Sequence, residues 1–203
     1  MICIIDYELG NVLSVKNAIE KVGFKCVISR NLDDIADSKG IIMPGVGSFE
    51  KGILNLKKFD LVNILKNEVF NRKKKILGIC LGFQLMCSFS EEFGNHDGLS
   101  WIDTKVKKID SQNFRLPHVG WNKLKISSDS YLFDGINNEE MFYFNHSYCV
   151  EKKSSSNFKI IGECNYGSNF IAAIEYQNIF GIQPHPEKSQ YQGLKVIENF
   201  CKL

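Results

Sequence analysis

The chain has 203 residues, 44% hydrophobic, 24% charged and 12% aromatic, with a net charge of +2. That length suits a single α/β domain over residues 1–203 with a buried core, and the composition is that of an ordinary globular protein. So weak a charge argues against nucleic acid as a partner, and no stretch reaches the roughly 18 apolar residues of a membrane span.

The start, MICIIDYELG, has neither the basic region nor the apolar length of a signal peptide. Within it, Ile2–Asp6 reads as a buried strand. Asn11 then stands where it can cap a helix whose apolar face is Val12, Val15, Ile19 and Val22, with Gly23 ending it. Lys25–Ser29 is a second strand, and Gly40–Gly45 a third that stops at Pro44. Helical spacing of Leu61, Leu65 and Val69 predicts a helix from about Phe59 to Asn71. Lys73–Lys75 reads as a solvated flank before a fourth strand, Lys75–Cys80, which leads into a helix over Leu81–Phe89. Strand–helix–strand alternation predicts a mixed, mostly parallel central sheet flanked by helices. From about Thr104 to Phe180 the runs shorten, and the turn signals DSQN, SSDS, GINN, NYGSN and EYQN recur. This half reads as antiparallel hairpins, closed by a helix near Gly193–Leu203.

Seven cysteines without CxxC pairs or Cys/His zinc spacing point to free thiols in a reducing cytoplasm and to no metal. Six of them, Cys3, Cys26, Cys87, Cys149, Cys164 and Cys201, lie in strand-like or helix-like runs and read as structural. Cys80 differs. Gly78-Ile79-Cys80-Leu81-Gly82 fits a strand–turn–helix elbow, in which flanking glycines let backbone pass close and a helix start favours thiolate. Composition alone yields Gly-x-Cys-x-Gly roughly 0.04 times in such a chain. A nucleophilic thiol needs a base, and the base an orienting group. His185 precedes Glu187 by two residues, the spacing that puts both on one side of an extended chain, and Pro184 and Pro186 keep the stretch out of a helix. His146 and His118 compete for the role, and His96 reads as a loop residue. PGVG, Pro44–Gly47, can present unobstructed N–H groups to an oxyanion.

With the stretches IIDYELGN, MPGVGSF, GICLGFQLM, SEE, LPHVGWN, YFNHSY and PHPEKS, spanning almost the whole chain, the sequence resembles the class I, or triad, glutamine amidotransferases. It is most similar to those serving as glutaminase subunits of imidazole glycerol phosphate synthase in histidine biosynthesis. The resemblance implies a flavodoxin-like fold and a Cys80–His185–Glu187 triad that hydrolyses L-glutamine to L-glutamate and ammonia, without a cofactor. It implies an oxyanion hole from Gly45, Val46, Gly47 and Leu81, and glutamine contacts from Gln84, Glu92, Ser147 and Tyr148. It also implies a (β/α)8-barrel cyclase as heterodimer partner and ammonia acceptor, faced or supported by Asn11, Trp121, Asn122 and Lys188. A paralogue feeding a sugar amidotransferase in glycan synthesis is the alternative acceptor. Two stretches depart from the family pattern: Pro184 stands where an aromatic is usual, which bears on the last strand turn, and DYELGN replaces a glycine-rich version.

Overall fold

A computed structural model describes residues 1–127, 129–152 and 158–203; Ser128, in the turn signal SSDS, lies outside them. The chain opens with β1 (Ile2–Ile5), α1 (Val12–Lys21), β2 (Cys26–Ser29), α2 (Leu32–Asp37) and β3 (Gly40–Gly45). Then come α3 (Phe49–Lys58), α4 (Leu61–Lys66) with a π-helical turn over Asn67–Asn71, β4 (Lys75–Cys80) and α5 (Leu81–Leu85). The second half holds β5 (Cys87–Ser90), β6 (His96–Asp97), β7 (Ile102–Lys108), β8 (His118–Ile126), β9 (Glu140–His146) and β10 (Tyr148–Val150). It continues with β11 (Lys159–Tyr166), β12 (Ser168–Tyr176) and β13 (Ile179–Ile182), and α6 (Gln190–Lys202) closes it. No helix among the described residues is long and apolar enough to cross a membrane.

The strand order is β2-β1-β3-β4-β13-β12-β10-β7-β5-β6, with β11, β8 and β9 branching from β12. Strands β2, β1, β3, β4 and β13 run parallel, whereas β13–β12, β12–β10, β12–β11, β11–β8 and β8–β9 are antiparallel. Strands β1, β3 and β13, and β4 from Ile76 on, are buried and almost wholly apolar because both faces are covered, whereas the edge strand β2 ends in Ser29 and is mostly half-buried. Ile2, Ile4, Ile42 and Leu77 pack toward Val15 and Ile19 of α1 and Val196, Ile197 and Phe200 of α6. Cys3, Ile5, Ile41 and Ile76 alternate to the other face, against Phe49, Ile53 and Leu56 of α3 and Leu61 and Leu65 of α4.

Several expectations are corrected. Helices α2 and α3 went unpredicted: α2 buries only Ile35, and Gly52 interrupts the pattern of α3 where the leucine side chain at 85 leaves no room for a Cβ. The predicted helix over Leu81–Phe89 ends at Leu85. The amides of Leu99, Ser100, Trp101 and Ile102 take the carbonyls of Leu85, Met86 and Cys87, so Cys87–Ser90 is drawn into the sheet instead. His96 lies in β6, paired with Ser90, rather than in a loop. Asn11 precedes α1 but makes no side-chain cap bond. Lys74 is no solvated flank: its side chain is 8% exposed, and its ammonium lies 3.0 Å from the buried Glu68 carboxylate and donates to the carbonyls of Ile35 and Ala36.

Candidate active site

Cys80 ends β4 at the turn into α5, with φ 53° and ψ −110°, a conformation costing on the order of 1–3 kcal/mol that close packing on every side must hold. A Cβ at Gly82 would stand 1.8 Å from the Met43 carbonyl oxygen, and one at Gly78 2.7 Å from the Phe83 nitrogen. The two glycines therefore let the elbow nest against β3 and the first turn of α5, as the spacing predicted. Gln183 Nε2 approaches Cys80 Sγ at 3.5 Å.

On one side the Cys80 sulfur is close enough to His185 to favour a charged ring. On the other, its Nδ1 lies 2.9 Å from Glu187 Oε1, and both side chains are 2% exposed. Burial alone would lower the imidazole's pKa; the Cys80 sulfur and the Glu187 carboxylate outweigh it and push it up to about 10. The histidine is thus held ready to carry positive charge beside a sulfur, the electrostatic condition for thiol nucleophilic chemistry. Pro184 does not disturb this. It lies past the end of β13, so its missing N–H removes no bond of that strand, and the His185 N–H still donates to the Tyr143 carbonyl at 2.8 Å. In the other departing stretch, Glu8 takes φ 64°, where glycine would be unstrained, and it is tied to Arg30 and Lys58.

A cleft of about 270 Å³ opens in front of Cys80, lined among others by Val46, Gly47, Leu81, Gln84, Glu92, Ser147 and Tyr148. Gly45 lies at the base of its loop, in register with Cys80. The sequence reading thus converges on one cavity from four distant segments. Gln84 Nε2 donates to the Tyr148 carbonyl at 2.8 Å and to Gln183 Oε1 at 2.9 Å, fixing the HSY segment beside the elbow. Glu92 Oε2 accepts the Phe49 N–H at 2.6 Å, placing a carboxylate at the start of α3 where the helix dipole favours it. Burial raises its pKa, while that N–H and His96 oppose the rise.

The cleft also takes in Phe93, Pro117, Asn145 and His146, which the sequence did not single out as ligand contacts. Gln183, fully buried and bonded to both Cys80 and Gln84, was missed as well, although its place two residues before His185 was a usable signal. His146 and His118 pair with each other rather than with a carboxylate. His146 binds the Tyr148 carbonyl and His118, and burial pushes its pKa down to about 3. Trp121, Asn122 and Lys188 lie away from the cleft: Trp121 is 42% exposed with its ring 6.1 Å from Tyr143, and Lys188 Nζ is 5.6 Å above the same ring. Asn11 is half-buried at the start of α1, the helix that packs on the turn Pro186–Lys188. No group of His, Cys, Asp and Glu able to hold a metal ion occurs among the described residues.

The sequence pattern of the family described as glutamine amidotransferase class-I matches residues 3–203. The imidazole glycerol phosphate synthase subunit HisH 1 of Campylobacter jejuni is 42% identical over 204 residues, covering 100% of both chains. The subunit HisH 2 of Methanococcus maripaludis is 43% identical over 206 residues, covering 100% of this chain and 99% of that one. Two solved structures share the fold. One, described as a glutamine amidotransferase, has a TM-score of 0.77 at 12% identity and covers 99% of this chain and 97% of its own. The other, PurLQS from Thermotoga maritima, has a TM-score of 0.73 at 21% identity with the same coverage. The chain belongs to the class-I glutamine amidotransferase family.

Proposed function

We propose that residues 1–203 form a single glutaminase domain, the ammonia-supplying subunit of an imidazole glycerol phosphate synthase in histidine biosynthesis, working in the cytoplasm. The observation that carries the reading is the buried line from Cys80 through His185 to Glu187 at the mouth of the cleft. The Cys80 sulfur attacks the side-chain carboxamide carbon of L-glutamine. The oxygen, taking up negative charge, meets backbone N–H groups of Leu81 and of the Gly45–Gly47 loop. His185, protonated, gives its proton to the departing nitrogen as the carbon–nitrogen bond breaks, releasing ammonia and leaving a Cys80 thioester. Water, losing a proton to His185, attacks that thioester; glutamate leaves and the sulfur is regenerated. Glu187 holds the ring in orientation and supports its charge. Gln84, Glu92, Ser147 and Tyr148 hold the substrate's amino-acid end, with the second oxygen of Glu92 facing a substrate ammonium.

The ammonia acceptor is a (β/α)8-barrel cyclase, docked on the face that carries Asn11, Trp121, Asn122 and Lys188. Full-length relatives named as HisH subunits support this acceptor over a sugar amidotransferase. The test is glutamate release by the complex with the cyclase. Cys80→Ser abolishes it, and unchanged release in that variant contradicts the mechanism.

A further inference from the structure

A chain of side chains that the steps above do not use runs from the cleft wall, through the buried His146 and His118, to the half-buried Asn122. His146 Nδ1 lies 2.8 Å from the Tyr148 carbonyl oxygen, an atom that only accepts, so Nδ1 carries the proton and Nε2 a lone pair. That Nε2 lies 3.3 Å from Nδ1 of His118, which must therefore donate. His118 Nε2 then holds a lone pair, and the Asn122 carboxamide nitrogen stands 3.3 Å from it as donor. The same nitrogen donates to the Asn165 carbonyl at 2.9 Å. Each link fixes the direction of the next.

The two rings meet because β8 and β9 place His118 opposite His146. Phe144 and Tyr166 stack on the faces of His118 at 4.8 and 3.9 Å, so the ring cannot swing away from its partners. Both rings stay uncharged: burial pushes His118 down to about 4 and His146 to about 3. The Tyr148 carbonyl at the end of the chain also receives Gln84 Nε2, and Ser147 sits between it and His146 on the wall of the cleft.

We propose that His118 and His146 are positioning residues for glutamine: a two-imidazole relay, both protons on Nδ1, that holds the Tyr148–Cys149 peptide by the Tyr148 carbonyl, and with it the adjoining Ser147–Tyr148 segment, and anchors it to Asn122. The inference rests on the glutaminase reading. It requires an unusual tautomer at both positions, since free neutral histidine prefers its proton on Nε2, and packing alone would require neither.

The test has two arms. Long-range nitrogen–proton NMR of the full chain with labelled histidine reads the tautomers without reference to activity. Both rings show Nδ1–H and an unprotonated Nε2, and an Nε2–H form at either position overturns the relay. In the complex with the cyclase, His118→Asn keeps a donor where Nδ1 was and leaves KM for glutamine within about twofold of the parent. His118→Leu removes the donor and raises KM about tenfold with kcat changed less than about threefold, the fold-change expected of one lost buried hydrogen bond. An unchanged KM in His118→Leu overturns the positioning role. Should that variant fail to fold, His118→Gln, which keeps a polar side chain but moves the donor off the Nδ1 position, replaces it with the same expected outcome. Absence of glutamate release from the parent complex would instead refute the glutaminase reading, leaving the NMR result to speak for the relay.

Discussion

Three buried histidines titrate in two directions, and their neighbours decide which. His185 sits between a sulfur and a carboxylate, which outweigh burial and push it up to about 10. His118 and His146 face carbonyl, amide and each other, so burial prevails and pushes them down to about 4 and about 3. The sign for stability follows. Below the ordinary value of about 6.5 the unfolded chain binds protons at His118 and His146 that the folded chain does not, so acid destabilises the fold across that window, by about 1.4 kcal/mol for each pKa unit of difference. The urea midpoint should fall between about pH 7 and about pH 4.5, and His118→Asn, which removes one of the two contributions, should flatten the decline. An equal decline in both proteins would contradict these depressed values. The pairing of His185 with Glu187 was legible because two residues of extended chain suffice to make it. The pairing of His118 with His146 was not, because it depends on the register of β8 against β9.

At the scale of elements, the parallel strands were legible from their unbroken apolar runs, and the turns at NYGSN and EYQN fell where the signals stood, closing β11–β12 and β12–β13. What escaped the sequence depends on competition between segments. Helix α5 would run on by its local pattern, but its last carbonyls are taken by the amides of residues 99–102. Lys74 belongs to a run of three lysines that looks solvated, yet the π-helical turn after α4 carries Glu68 inward to meet it. The Glu68 side chain is 1% exposed and its other partner, Arg72 at 3.3 Å, is 56% exposed, so deleting Lys74 leaves the buried carboxylate only a solvent-facing cation. With Arg72 still paired, Lys74→Met should destabilise the fold by about 1–3 kcal/mol, read as a lower urea midpoint; a loss under about 0.5 kcal/mol would show that Arg72 or an apolar contact replaces Lys74.

On the scale of the whole molecule, the cleft exists because the sheet brings four segments to one place: the loop after β3, the elbow after β4, the turn carrying Glu92 and the HSY junction between β9 and β10. The family resemblance anticipated members of each; Phe93, Asn145 and Gln183 escaped because only the folded sheet places them around the elbow. The same architecture separates one cysteine from six. Burial pushes the thiols of Cys3, Cys149, Cys164 and Cys201 up to about 12 and raises those of Cys26 and Cys87, and in none of these is a histidine base among the influences. Cys80 alone combines a histidine partner with an open cleft. The most direct measurement is mass spectrometry of the complex after exposure to a glutamine analogue bearing an electrophilic diazoketone in place of the carboxamide. A single adduct on Cys80, prevented by excess glutamine and lost in His185→Ala, is the predicted result; labelling of another cysteine, or equal labelling in His185→Ala, would contradict the assignment of Cys80 as the nucleophile.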